Sequence, residues 1–286
     1  MAQNLHKLSR DKRLKIRDGE PIRELGLDWF PISMKYYEDF IQCKDALAVR
    51  LASLPVRYAS MDYFSAIFAY EYDALPKNGG KNVTAGLFIR MMKLLGLALR
   101  IEVTPEYLGK CIYYQKNNEG RITVEKIIFT QTGENGETNT AELTPFDISF
   151  TIRPLISAQN NIPLPDESEN IDLVEAYEIK KQLGAKNANL DIDTDALVSS
   201  VAYLSHVTDK ELRNTWNVRD FENRKRAIDR VMKYQMYGQA ELGGMVTFKN
   251  GNPFPSWCFD VIDDSLGTMA YSELEKTLSG VATQGG

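Results

Sequence analysis

The chain has 286 residues, 43% of them hydrophobic and 26% charged, with a net charge of −5. A chain of this length and composition buries a sizeable core and is not disordered throughout. An acidic balance disfavours nucleic acid as the main partner, because phosphate binding rewards an excess of Lys and Arg.

The first thirty residues read as a polar arm. Its opening holds Lys7, Arg10, Lys12, Arg13, Lys15 and Arg17 against Asp11 alone, and such a segment is expected to order only on a partner. It has no apolar run of the kind a secretory signal carries. The longest apolar stretch, Gly86 to Ile101, is broken by Arg90, Lys93 and Arg100 and is too short and charged to span a bilayer. The expectation is a soluble protein that stays in the cytoplasm where it is made.

Residues 33–100 carry helical spacing. Tyr36, Phe40, Leu47, Leu51 and Leu54 recur on one face, with Ser33 as N-cap and Pro55 as stop. A second helix carries Met61, Phe64, Ile67 and Phe68. A third, after Thr84, carries Leu87, Met91, Leu94 and Leu95, and the Lys77–Gly80 turn separates the two. Residues 101–153 change character. Lys110–Gln115 and Arg121–Thr130 are rich in β-branched and aromatic residues, and Asn135-Gly136 suits a tight hairpin turn. Phe146, Ile148, Phe150 and Ile152 alternate with polar residues as a half-buried strand does, although the run is short enough for a helix.

Residues 154–170, rich in Pro and Asn, read as a connector between a domain at 31–153 and a mainly helical domain at 171–280. A tail at 281–286 closes the chain. The second domain is expected to hold helices at Asp172–Leu183, at Asp195 to His206 capped by Thr194 or Asp193, and at Val218 to Leu242 ended by Gly243-Gly244. A short strand at Val246–Lys249, a loop at Pro253–Trp257 and a helix at Ser272–Leu278 follow. The fold class is α+β: helices, a small antiparallel sheet in the middle, then helices with a short β and loop element.

The chemistry-bearing signals are sparse. Asp191, Asp193 and Asp195 open like a calcium loop, but its sixth and twelfth places hold Ala196 and Ala202 where Gly and Glu are needed; an N-cap cluster explains the acids. Cys43, Cys111 and Cys258 are odd in number and widely spaced, which fits neither a disulfide framework nor a metal knuckle. Only His6 and His206 could serve a histidine-dependent site. No phosphate loop, dinucleotide fingerprint or nucleophile elbow occurs. The expectation is a non-enzyme with no metal and no cofactor.

Two segments suit protein contacts. Arg213, Arg219, Arg224, Lys225, Arg226, Arg230 and Lys233 outnumber Asp220, Glu222 and Asp229 on one stretch. They form either a solvated helix face with local ion pairs or a dock for an acidic partner, of which Pro165–Glu178 of the same chain is an example. Self-association is then as economical as nucleic-acid binding. The second segment, Gly251 to Phe259, brings Phe254, Trp257 and Phe259 between prolines. It reads equally as a rigid anchor loop or as a plug of its own core.

The aromatic-led helix, the β segment, the connector QNNIPLPDESEN, the basic helix DFENRKRAIDRVMKY and the closing GNPFPSWCFD resemble baseplate and hub assembly proteins of contractile-tailed, T4-like bacteriophages. In their helical parts they are also similar to tail-assembly chaperones that hold the tape-measure protein. The resemblance is one of order and flavour over residues 31–270 and transfers no site. It implies a structural or assembly role in a virion tail or its baseplate, with other tail proteins as partners and the host bacterial cytoplasm as the place of assembly.

Overall fold

A computed structural model describes residues 8–74, 86–116, 122–133, 136–165 and 193–244. The chain divides into two units, Met1–Ile171 with Leu190–Lys225, and Asp172–Asn189 with Arg226–Gly286. Both sheets lie in the first unit, and the fold is α+β as the patterning implies.

The chain begins differently from the arm expected of it. Helix α1 (Arg10–Asp18) starts at Ser9, whose hydroxyl accepts the Lys12 N–H, and stops at Gly19 in the left-handed conformation. Strands β1 (Ile22–Glu24) and β2 (Leu27–Trp29) then pair antiparallel around Leu25 and Gly26, both at positive φ. Ile16, Ile22, Leu27 and Trp29 are buried, and the Trp29 ring meets Phe129 edge-on at 6.4 Å. So few apolar residues read as an arm in sequence, yet each of these four faces the core.

The helix expected from Tyr36 to Leu54 is also broken. Ser33 caps a 3-10 turn at Met34–Tyr36, which leads into α2 (Tyr37–Cys43), and 3-10 turns follow at Lys44–Leu47 and Leu51–Ser53. Side chains distant in sequence take the backbone groups a helix would pair internally. The Tyr63 hydroxyl accepts the Val49 N–H and donates to the Ala46 carbonyl, and Arg153 Nε donates to the Leu47 carbonyl. A short α3 (Val56–Ala59) leads to α4 (Tyr63–Ala74), and α5 (Leu87–Leu99) buries Phe88, Met91, Met92, Leu94 and Leu95.

A short α6 (Pro105–Cys111) enters the sheet. Strands β3 (Ile112–Lys116), β4 (Ile122–Thr132) and β5 (Thr138–Leu143) are antiparallel in the order β3-β4-β5, with a bulge at Tyr113/Tyr114. Gly136 sits at positive φ between β4 and β5 and its N–H donates to the Gly133 carbonyl, while Asn135, the other half of the expected turn, lies outside the described residues.

Residues 145–159 are helical, which corrects the strand expected at Phe146–Ile152. A capping box between Thr144 and Asp147 starts α7 (Pro145–Asp147), a π turn covers Ile148–Ile152, and α8 (Arg153–Gln159) completes the run. Alternation by two also places residues four apart together on a helix. Ile148 and Ile152 go in, while Phe146 and Phe150 face out and touch at 4.4 Å. Pro154 cannot donate a hydrogen bond to the Phe150 carbonyl, and the widened turn lies just before it.

The segment read as a connector from residue 154 begins as a buried helix. Leu155 to Gln159 are buried, Asn160 accepts the Ile32 N–H, and Gln159 donates to the Trp29 carbonyl. The first unit runs on to Ile171.

After it come α9 (Thr194–Leu204), capped by Asp193, then α10 (Asp209–Thr215), capped by Thr208, and α11 (Val218–Leu242). Helix α10 is absent from the sequence reading, whereas the bounds of α11 agree with it. The start of the chain closes on this region. Met34 N–H donates to the Trp216 carbonyl, Val218 N–H to the Ile32 carbonyl, and Tyr37 stacks edge-on with Phe221 at 4.9 Å. The expected elements at 172–183, 246–249, 253–257 and 272–278 lie outside the described residues.

Candidate protein-binding surface

The titratable residues of the described chain serve structure where their contacts are defined. Asp193 accepts the N–H groups of Asp195 and Ala196, and Asp195 pairs with Arg213 at 2.5 Å. Asp193 thus caps the helix, as the spacing suggests, while Asp191 lies outside the described residues. Among the described residues no cluster of three His, Cys, Asp or Glu side chains could hold a metal. His206 stands at positive φ just past the end of α9. Burial pushes the Cys43 thiol up and the Cys111 thiol up to about 11, which removes both as ready nucleophiles.

The arginines singled out in sequence separate into different roles. Arg219 is half-buried and donates to the Ala158 carbonyl and to Asn161, a strut within the first unit. Arg224 lies over the Trp216 ring at 5.9 Å. Arg226 and Arg230 are half-buried and belong to the second unit. Their neighbours are paired locally, Lys225 with Glu222 and Lys233 with Asp229, both at 2.7 Å. Glu222 also accepts from the Tyr37 hydroxyl, and burial, aided by the Glu222 charge and this bond, raises the Tyr37 pKa far above its ordinary value. Three of the seven cations of this stretch, Arg213, Lys225 and Lys233, thus pair with carboxylates. Phe254, Trp257 and Phe259 lie outside the described residues.

The same helix carries a feature that sequence reasoning missed. Only Val218 and Phe221 of its 25 residues are buried. Ile228, Met232, Gln235, Gln239 and Leu242 follow at alternating steps of four and three, which keeps them on one side of a helix. Met232 is 56% exposed, Met236, one turn on, 58% and Leu242 91%; Val231 and Tyr234 are exposed as well, Tyr234 on another side of the helix. Long apolar side chains left in water on one helix are the usual mark of a contact face. The signal was present in sequence, but the Arg and Lys residues between these positions masked it.

Two other features of the first unit invite contact. Phe146 and Phe150 form an outward aromatic pair, 62% and 59% exposed. A groove of ≈ 640 Å³ runs beside Tyr36, Asp39, Leu97, Arg100 and Glu102, where the Arg100 guanidinium stacks on Phe30 at 3.8 Å. Among the described residues no helix is long and apolar enough to cross a membrane. No family model, no curated protein and no solved structure matches the chain.

Proposed function

We propose that the chain is a non-enzymatic assembly component that works by binding another protein through the exposed side of α11. The observation that carries this reading is the exposure of Met232, Met236 and Leu242 along that helix. An amphipathic helix offers anchors at three- and four-residue spacing to a groove or a second helix. Covering such side chains on binding removes apolar area from water at about 25 cal/mol per Å². The assembly, on the sequence resemblance, is a bacteriophage-like tail, with the baseplate as the place and other tail proteins as partners.

A second reading within the same class is a tail-assembly chaperone for the tape-measure protein. The methionines favour it. Their unbranched, polarisable side chains repack around different partners, which suits a protein that holds and then releases a client. The local neutralisation of Lys225, Lys233 and Arg213 argues against the nucleic-acid alternative.

One pair of measurements tests both readings. Mass spectrometry of purified particles retains a baseplate component and loses a chaperone, and co-purification from producing cells recovers a tail protein in either case. Met232→Glu combined with Met236→Glu is expected to leave the melting temperature unchanged and to weaken that co-purification roughly 30-fold or more. Full co-purification of the double variant would sink the assignment to α11, and recovery of no tail protein would sink the tail reading.

A further inference from the structure

A cavity of ≈ 290 Å³ lies among α4, α5, α6 and β3, wholly within the first unit and separate from α11. Its walls are mainly aromatic. Phe68 meets Phe88 edge-on at 4.9 Å and lies tilted against Tyr114 at 5.3 Å, and Tyr72 meets Tyr114 edge-on at 5.7 Å. Ile89, Leu108 and Ile112 add aliphatic surface to the lining. These ring pairs meet edge-on or tilted, the usual packing of aromatic side chains, and all four rings line the cavity.

One carboxylate, Glu71, stands in this lining. It lies against the start of α5 because Gly86 has no side chain; a Cβ there would fall 1.5 Å from a Glu71 oxygen. Glu71 accepts the Phe88 N–H at 2.6 Å, capping a helix that has no side-chain cap at Gly86. A carboxylate has room for about four hydrogen bonds, and among the described residues Glu71 takes only this one. Burial raises its pKa even though the Phe88 N–H and the charge of Arg90 oppose the rise. A half-buried anion with unused acceptor sites, facing aromatic rings, is the complement of an organic cation.

We infer that this cavity binds an ammonium group carried on an aromatic stem, with the stem among the rings of Phe68, Tyr72, Phe88 and Tyr114 and the ammonium on Glu71. Volume selects the stem. An engineered cavity of about 150 Å³ accepts benzene, so ≈ 290 Å³ accommodates a bicyclic ring or one ring with a short chain. The slender alkyl chain of a lysine leaves most of that space empty. The ligand class is a free arylalkylamine.

The probes are tryptamine, indole and indole-3-propionate, titrated calorimetrically onto the full chain. The expected order is tryptamine tightest, indole weaker, and the anion weakest. Glu71→Gln keeps an acceptor for the Phe88 N–H and removes the charge. It is expected to weaken tryptamine about tenfold and leave indole unchanged. Gly109 lines the cavity, and a Cβ there meets nothing within 4 Å. Gly109→Leu is therefore expected to keep the melting temperature and abolish binding of both tryptamine and indole. Ile112→Trp, which fills the cavity from β3, is the second block should Gly109→Leu disturb α6. Absence of tryptamine binding to the parent chain overturns the proposal. So does equal affinity for tryptamine and indole-3-propionate, or tryptamine binding that survives both blocking variants.

Discussion

Gln131, on β4, is 4% exposed, and it holds three backbone groups of other elements. It accepts the Asp28 N–H at 3.0 Å and donates to the carbonyls of Asp28 at 2.8 Å and Leu99 at 2.9 Å. A polar residue at an inward position of a strand is tolerated because every bond it needs is supplied. Gln131→Leu keeps the size and strands those groups in an apolar site. The expected loss is about 3 kcal/mol in a urea melt, and a loss under about 1 kcal/mol would show that water reaches them. The thiols give a second prediction at this scale. Cys43 and Cys111 are each 3% exposed, and with a pKa of about 11 only about one Cys111 thiol in a thousand ionises at pH 8. Alkylation mapped by mass spectrometry is expected to spare both in the native protein and label both in denaturant. Rapid native labelling of either would contradict their burial.

Among the elements, the β1–β2 hairpin decides how far the folded core extends toward the start of the chain. Trp29 is fully buried against Phe129, and its indole N–H donates to the Glu24 carbonyl across the hairpin. Trp29→Ala is expected to cost about 3–5 kcal/mol, with amide exchange slow at Ile22–Trp29 in the parent chain. Fast exchange there in the isolated protein would restore the picture of an arm. Composition could not reveal this hairpin, because Trp29 gains its place from a residue one hundred positions away and the turn uses Leu25 at an unusual φ. The 3-10 turns after α2 were hidden for the same reason, since Tyr63 and Arg153 impose them from a distance. Where the pattern is local, sequence sufficed. The β3–β5 sheet, the Asp193 cap and the bounds of α11 all follow from neighbouring residues.

At the scale of the whole molecule, residues from the two ends of the first unit interlock, with Ile32, Met34 and Tyr37 bonded or packed to Trp216, Val218, Phe221 and Glu222. This contact anchors the start of α11, and it explains why the first buried residues of that helix, Val218 and Phe221, are also its last. The basic residues that attracted attention in sequence are engaged locally, and the apolar side chains between them are the ones left in water. The account stands on those side chains meeting another protein. Site-specific photo-crosslinking in producing cells tests it most directly, with benzoylphenylalanine placed at Met232, Met236 or Leu242 and, as control, at Val56, which is 88% exposed but lies on α3. The account predicts that all three α11 positions crosslink to the same second protein, a tail component, and that Val56 does not. Crosslinks from none of the three, or equal crosslinking from Val56, would contradict it.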